Sequence, residues 1–175
     1  MASINKVTII KDPLDVFSDE HTQSLAELDK MARIAKRIQD EGFTVGAFQQ
    51  ILSSVRFIET EMLKHHEKEE HCLFSLLDKH LYESPNSIRH ERREMWQKFH
   101  ELSDVVKDVE DGKIHGTTIH ELVDLTIDVA EQFKKHIVRE NSIIFPMVKS
   151  LLSPAEYQSL KVCVANFSSS TDKLG

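Results

Sequence analysis

Apolar residues recur along this chain at alternating steps of three and four, the spacing that keeps side chains on one face of an α-helix. One such stripe reads Ile51, Val55, Ile58, Met62, His65, Glu69, Cys72, Leu76. A second reads Ile119, Leu122, Thr126, Val129, Phe133, His136, Glu140, Ile143, Met147. Two more run through Leu14, Phe17, His21, Leu28, Met31, Ala35 and Ile38, with Ser24 a weak member, and through Met95, Phe99, Leu102, Val106 and Val109. No comparable stretch alternates with the period of two that marks a half-buried strand.

Punctuation divides these stripes into helices. Ser18 or Asp19 can cap a first helix that stops at Glu41-Gly42. Thr44, flanked by a Phe43–Phe48 hydrophobic staple, opens a second that runs to about Leu81. Ser84-Pro85 opens a third ending near Asp111-Gly112, and a Thr118–Glu121 capping box opens a fourth reaching about Ser150, with a kink expected at Pro146. Ser153-Pro154-Ala155-Glu156 starts a short fifth helix to about Asn166, followed by a polar, fraying tail. Before the first stripe lies an extended lead-in with a β-prone run at 6–10. The fold class is therefore all-α, an antiparallel up-down four-helix bundle with a short fifth C-terminal helix. The lead-in spans 1–13, the bundle 14–150, and the terminal helix and tail 151–175.

Two stripes are interrupted in the same way. Each is apolar except for a histidine and a glutamate four apart, His65 with Glu69 and His136 with Glu140, so one imidazole and one carboxylate point into the same layer. An unpaired carboxylate in a core costs several kcal/mol. No lysine or arginine shares those two stripes, and a pair of metal ions is the simplest compensation. Without a cation, the two carboxylates in one layer repel each other. His21 lies inside the first stripe, and His90 can turn inward if the third helix starts irregularly after Pro85. His100 lies on the far side of that helix's stripe. The adjoining register of the second helix, His66 with Glu70, runs through Arg56 and Glu59 and reads as solvent face. His71, His80, His115 and His120 also read as solvated, and Cys72 as a small buried apolar residue. Ten histidines in 175 residues give this placement its weight.

The two pairs carry matching endings: His65-His66-Glu67-Lys68-Glu69 leads to Leu73-Phe74, and His136-Ile137-Val138-Arg139-Glu140 to Ile144-Phe145-Pro146. With the lead Val16-Phe17-Ser18-Asp19-Glu20-His21, residues 14–150 resemble a hemerythrin-like (HHE cation-binding) domain. That resemblance implies an antiparallel four-helix bundle around two iron ions, a non-haem di-iron centre with an oxo or hydroxo bridge. It makes His21, His65, His90 and His136 terminal ligands and Glu69 and Glu140 bridging carboxylates. Oxygen-carrying hemerythrins place two histidines four apart on the third helix, whereas here the positions flanking His90 hold Asn86 and Glu94. The chain is thus more similar to the hemerythrin-like iron sensors and di-iron repair proteins, with an open position at each iron. Imidazole and carboxylate ligation without thiolate suits iron or manganese and not structural zinc. A ferritin-like centre needs Glu-x-x-His, and no histidine here has a glutamate three residues before it.

Charge narrows the partners. Twenty-two basic against twenty-nine acidic side chains leave −7, which disfavours nucleic acid and anionic membranes. No apolar run is long enough for a membrane span and no signal-peptide pattern is present. Two cysteines are too few to staple the domain, so a cytoplasmic, reducing compartment is expected. The function expected is binding or sensing of O2, NO or peroxide, with iron storage, donation or iron–sulfur repair as the alternative. An enzyme ranks last, and a homodimer or a redox partner protein stays open. Replacing Glu69 or Glu140 with Ala should remove bound metal entirely rather than halve it. Metal analysis, with Glu70→Ala and His66→Ala as solvent-register controls, reads this directly.

Overall fold

The computed structural model describes residues 10–81 and 84–171, and all but the first residues of that range are helical or in short turns. The β-prone run, apart from Ile10, and the last residues of the tail fall outside the described residues. Five helices follow in chain order: α1 Pro13–Glu41, α2 over 45–77, α3 Ser84–Glu110, α4 over 116–151, and α5 Pro154–Thr171. α4 packs alongside both α1 and α3, α1 packs beside α2, and α5 lies against α1 and the end of α2. His21 near the start of α1 meets residues near the ends of α2 and α4, so neighbouring helices run antiparallel. All-α and bundle-like, the architecture is the one the periodicity predicts.

Several boundaries differ from expectation for local reasons. α1 begins at Pro13, because the Asp12 carboxylate accepts from the Leu14 N–H at 2.9 Å and proline at N1 is pre-set for helix. Ser18 and Asp19 are already inside it. α4 begins at Gly116, since the Ile119 N–H already bonds the His115 carbonyl at 3.0 Å, which leaves Thr118 within the first turn. α2 stops at Leu77, and α5 extends to Thr171, beyond Asn166. The Thr44 cap does form, its hydroxyl accepting from Ala47 N–H at 3.1 Å, with the Phe43 and Phe48 ring centroids 6.1 Å apart. So does the Ser153–Glu156 reciprocal cap. Gly42 ends α1 at φ 95°, a conformation that costs glycine nothing, while its N–H closes onto Ile38.

Three π-helical turns interrupt α2 and α4: Ile58–Met62, Glu69–Phe74 and Glu140–Ile144. Each accommodates one extra residue per turn, so the buried stripe slips by one position downstream. After Glu140 the core passes to Ile144, Phe145 and Val148, while Ile143, a member of the sequence stripe, is 45% exposed. The π turn also precedes Pro146, whose missing N–H falls at the start of the last α-helical segment.

The core has two apolar clusters. The larger fills the far half of the bundle, around Ile51, Phe99, Leu122 and Phe133. The smaller lies at the other end, where Phe17, Phe74, Ile88 and Phe145 meet Leu160 and Val164 of α5. Between them sits a layer of buried polar side chains. α5 is fixed over the second cluster by the Tyr157 hydroxyl on Asp12 and by a Cys72–Cys163 disulfide. The disulfide corrects the reading of Cys72 as a free apolar filler. Spacing along the chain does not show that α5 folds back to bring the two Cα atoms within 5.7 Å. The argument for a reducing compartment thereby loses its premise. Among the described residues, no helix is long and apolar enough to cross a membrane.

Cross-linking residues 91 apart restricts the unfolded chain, so Cys163→Ser should cost about 2–4 kcal/mol of unfolding free energy, measured as a lower denaturant midpoint.

Candidate metal centre

The polar layer is assembled from the same turn of all four bundle helices. α1 contributes Glu20 and His21, α2 His65, His66, Lys68 and Glu69, α3 Glu91 and Arg92, and α4 His136, Arg139, Glu140 and Asn141. His21, His65, His66, Lys68, Glu69, Arg92, His136 and Glu140 are all buried, both glutamates completely.

His21 and His65 face each other with their Nε2 atoms 3.0 Å apart. His21 Nε2 lies 3.2 Å from Glu140 Oε2 and 3.9 Å from Glu69 Oε1, and His65 Nε2 lies 3.2 Å from Glu69 Oε1. One donor atom from each of these four residues falls within 4.8 Å of every other. The outer nitrogens are held from behind: His21 Nδ1 pairs with Asn141 Oδ1 at 2.8 Å and His65 Nδ1 with Glu20 Oε2 at 2.7 Å. A donating Nδ1–H leaves each Nε2 lone pair aimed into the layer, the tautomer a metal requires. Glu20 is itself paired with Lys68. Glu69 Oε1 and Glu140 Oε2 have no aligned hydrogen-bond partner although wholly buried. Donor separations of this size suit metal–ligand bonds of about 2.1 Å, and orphaned carboxylate oxygens are what a cation would satisfy. These residues fit a metal ion.

The α3–α4 half repeats the pattern with one change. His136 Nε2 is 2.9 Å from Glu140 Oε1, and its Nδ1 lies 3.3 Å from Glu91, which pairs with Arg139. Where a second cation would be expected, Arg92 Nη2 donates to Glu69 Oε2 at 2.6 Å and to Glu140 Oε1 at 2.8 Å. The guanidinium is stacked 5.0 Å over Phe74. The cation sought among the α2 and α4 stripes thus comes from α3, and the repulsion expected between the two carboxylates is answered by it.

The layer's charges hold one another. Burial works against a charged His65, but Glu69 and Glu20 outweigh it and push the imidazole up to about 10. His136 is raised too, its burial outweighed by Glu140. Burial works against the Glu140 carboxylate, yet His136, His21 and Arg92 hold it well below the usual range. His66 differs: burial and then Arg92 depress it, so it stays neutral, accepting from Trp96 Nε1–H at 3.0 Å and lying against Phe133. This overturns its assignment to the solvent face, and with it its use as a control. The π turn at Ile58–Met62 rotates α2 so that residues 65 and 66 straddle the seam.

Of the six expected ligands, the structure brings together His21, His65, Glu69, His136 and Glu140. It leaves His90 apart: its side chain is 65% exposed and 3.5 Å from Glu94. The sequence did hold a signal for this. His65 and His136, Glu69 and Glu140, Lys68 and Arg139, and Phe74 and Phe145 are each 71 positions apart. That offset carries Glu20 to Glu91 and His21 to Arg92, whereas His90 matches Asp19, exposed like it. Buried Phe17, Ser24 and Leu28 correspondingly match buried Ile88, Met95 and Phe99.

A four-helix bundle with a buried layer of paired histidines and glutamates defines a metal-binding helical domain. The Hemerythrin HHE cation-binding domain model matches residues 12–148, and the chain belongs to that family. A comparison with curated protein sequences finds no significant match.

Glu20→Ala and Glu91→Ala remove carboxylates that orient His65 and His136. Loss of Glu20 should weaken metal binding by about 10–100-fold, measured by isothermal titration, while His90→Ala should leave metal content unchanged.

Proposed function

We propose that this chain is a non-haem iron protein that binds O2, NO or peroxide at an open iron position, its fully loaded form being a di-iron centre. The observation that supports this most is the His21–His65 pair, with Nε2 atoms facing at 3.0 Å beside the orphaned oxygens of Glu69 and Glu140. His21, His65, Glu69 and Glu140 would hold one ion, and His136 with the same two carboxylates would hold the second. Iron would supply a redox-active Lewis acid able to take a small ligand. A donor set of nitrogen and oxygen without thiolate is the chemistry iron or manganese accepts, and the structural zinc pattern is absent among these residues.

The chain's own residues do the rest. Asn141, Glu20 and Glu91 fix the imidazoles, and Lys68 and Arg139 in turn hold the two outer carboxylates. Phe17, Phe74, Phe133 and Phe145, together with the α5 cap, keep bulk water out and restrict entry to small ligands. Neutral His66 and Trp96 close the α3 side by their hydrogen bond.

Protein purified without added metal should contain iron in excess of zinc and manganese, and its oxidised form should have a near-ultraviolet absorption band that shifts with azide. Zinc alone, or no metal, would sink this reading. Iron that passes to a chelator within minutes under reducing conditions would favour iron storage or donation instead.

A further inference from the structure

The two halves of the polar layer are related by a 71-residue offset that carries His65, Lys68 and Glu69 onto His136, Arg139 and Glu140, while His66 falls on Ile137 and one further buried position changes its chemistry. His21 in the first half becomes Arg92 in the second. Both are buried, both point into the same layer, and both reach Glu140 at hydrogen-bonding distance. The exchange matters because the two side chains have opposite effects on a cation. A neutral imidazole donates a lone pair to it. A guanidinium donates only protons, cannot be deprotonated, and carries the charge that a metal would bring.

We propose that Arg92 is a built-in cation that occupies the second metal position, so that the chain binds one ion tightly between His21 and His65 and takes a second only by displacing the guanidinium. This rests on the reading of the cluster as a metal centre. Arg92 Nη2 bridges Glu69 Oε2 and Glu140 Oε1, the outer oxygens of the two carboxylates, at 2.6 and 2.8 Å. The inner oxygens, Glu69 Oε1 and Glu140 Oε2, face the two histidines and lack aligned partners. Each carboxylate is thus divided between a guanidinium on one side and the His21–His65 pair on the other. On the Arg92 side His136 Nε2 has Glu140 Oε1 at 2.9 Å but no aligned hydrogen bond, and no histidine stands opposite it as His65 stands opposite His21.

Displacement has somewhere to go. Arg92 forms part of the wall of a groove of about 510 Å³ that opens along α3 and is also lined by Glu70, Arg89, Arg93 and Trp96. Glu70 is half-exposed there and already takes Arg89 as a partner, so a guanidinium leaving the layer meets a carboxylate outside it. Charge balance sets the order of events. With Arg92 in place, one divalent ion and the guanidinium together face two carboxylates. A second divalent ion entering beside the guanidinium would put unscreened like charges in a dry layer, so its arrival and the departure of Arg92 are a single event.

The test is anaerobic titration with ferrous iron alone, followed by isothermal calorimetry and intact-protein mass spectrometry, on the full chain and on Arg92→His, Arg92→Lys and His136→Ala. Wild type should show one tight ion and a second weaker by roughly 150- to 5,000-fold, the order of the cost of breaking a buried ion pair. Arg92→His restores the ligand found in the other half and should bind two ions with affinities within about tenfold. Arg92→Lys keeps a cation that can shed its proton and should bind the second ion with an affinity between those of wild type and Arg92→His, and His136→Ala should lose the weak ion and keep the tight one. Without metal, Arg92→His should melt lower than wild type, and saturating iron should reverse that order. Two ions of similar affinity in wild type, unaltered in Arg92→His, would overturn the proposal and leave the metal-centre reading standing. No ion in either protein would overturn that reading itself.

Discussion

Everything at the middle of this bundle follows from burying two carboxylates. Glu69 and Glu140 have no exposed surface, and a charge so placed is tolerated only where neighbours supply compensating charge and hydrogen bonds. Three imidazoles and one guanidinium do so. Each imidazole is positioned by a further polar residue, Asn141, Glu20 or Glu91, and the two carboxylates among these are paired with Lys68 and Arg139. The apolar clusters above and below are separated by this layer rather than continuous through it. The fold therefore carries an electrostatic core inside its hydrophobic one, and its stability and its chemistry depend on the same side chains.

The arrangement is a doubled one. Helices α1 and α2 form one half and α3 and α4 the other, with matched histidine, glutamate, supporting carboxylate, outer cation and closing phenylalanine. A symmetric pair of half-sites would place two equivalent ligand sets about shared carboxylates. The substitution of arginine for histidine makes their faces toward the carboxylates inequivalent. On the α1–α2 side the carboxylates face two imidazoles, which can give up a proton to bind a cation, and on the α3–α4 side they face one imidazole and a permanent positive charge. Family membership is a statement about the scaffold, and within it one position of α3 presents a guanidinium to the shared carboxylates where α1 presents an imidazole.

The π turns decide which residues enter the layer. An ordinary α-helix through α2 would bury His65 and expose His66, but the extra residue at Ile58–Met62 brings both to the seam. Two more π turns begin at Glu69 and Glu140 themselves. They move the following core positions by one residue, which lets Phe74 and Phe145 close the layer from the α5 side. Such turns cost helical regularity, and they recur where side chains must be aimed rather than merely buried.

Periodicity alone determined the helices, their approximate ends, and the presence of a histidine and a glutamate in each of two seams. A stripe of apolar residues at helical spacing has one way to be buried, and a carboxylate inside it demands compensation whatever the partners. Which residue compensates is a matter of three-dimensional proximity. His90 and Arg92 are two positions apart in sequence and nearly opposite in direction on α3, so a helix phase wrong by a fraction of a turn exchanges ligand for surface. The 71-residue offset held that phase, because matching one half on the other uses buried neighbours on both sides to fix the rotation. The Cys72–Cys163 bond, the burial of His66 and the slip of the stripe past Glu140 were beyond any such pattern. They depend on the return path of α5 and on where a helix takes one extra residue per turn, which only packing of the whole chain decides.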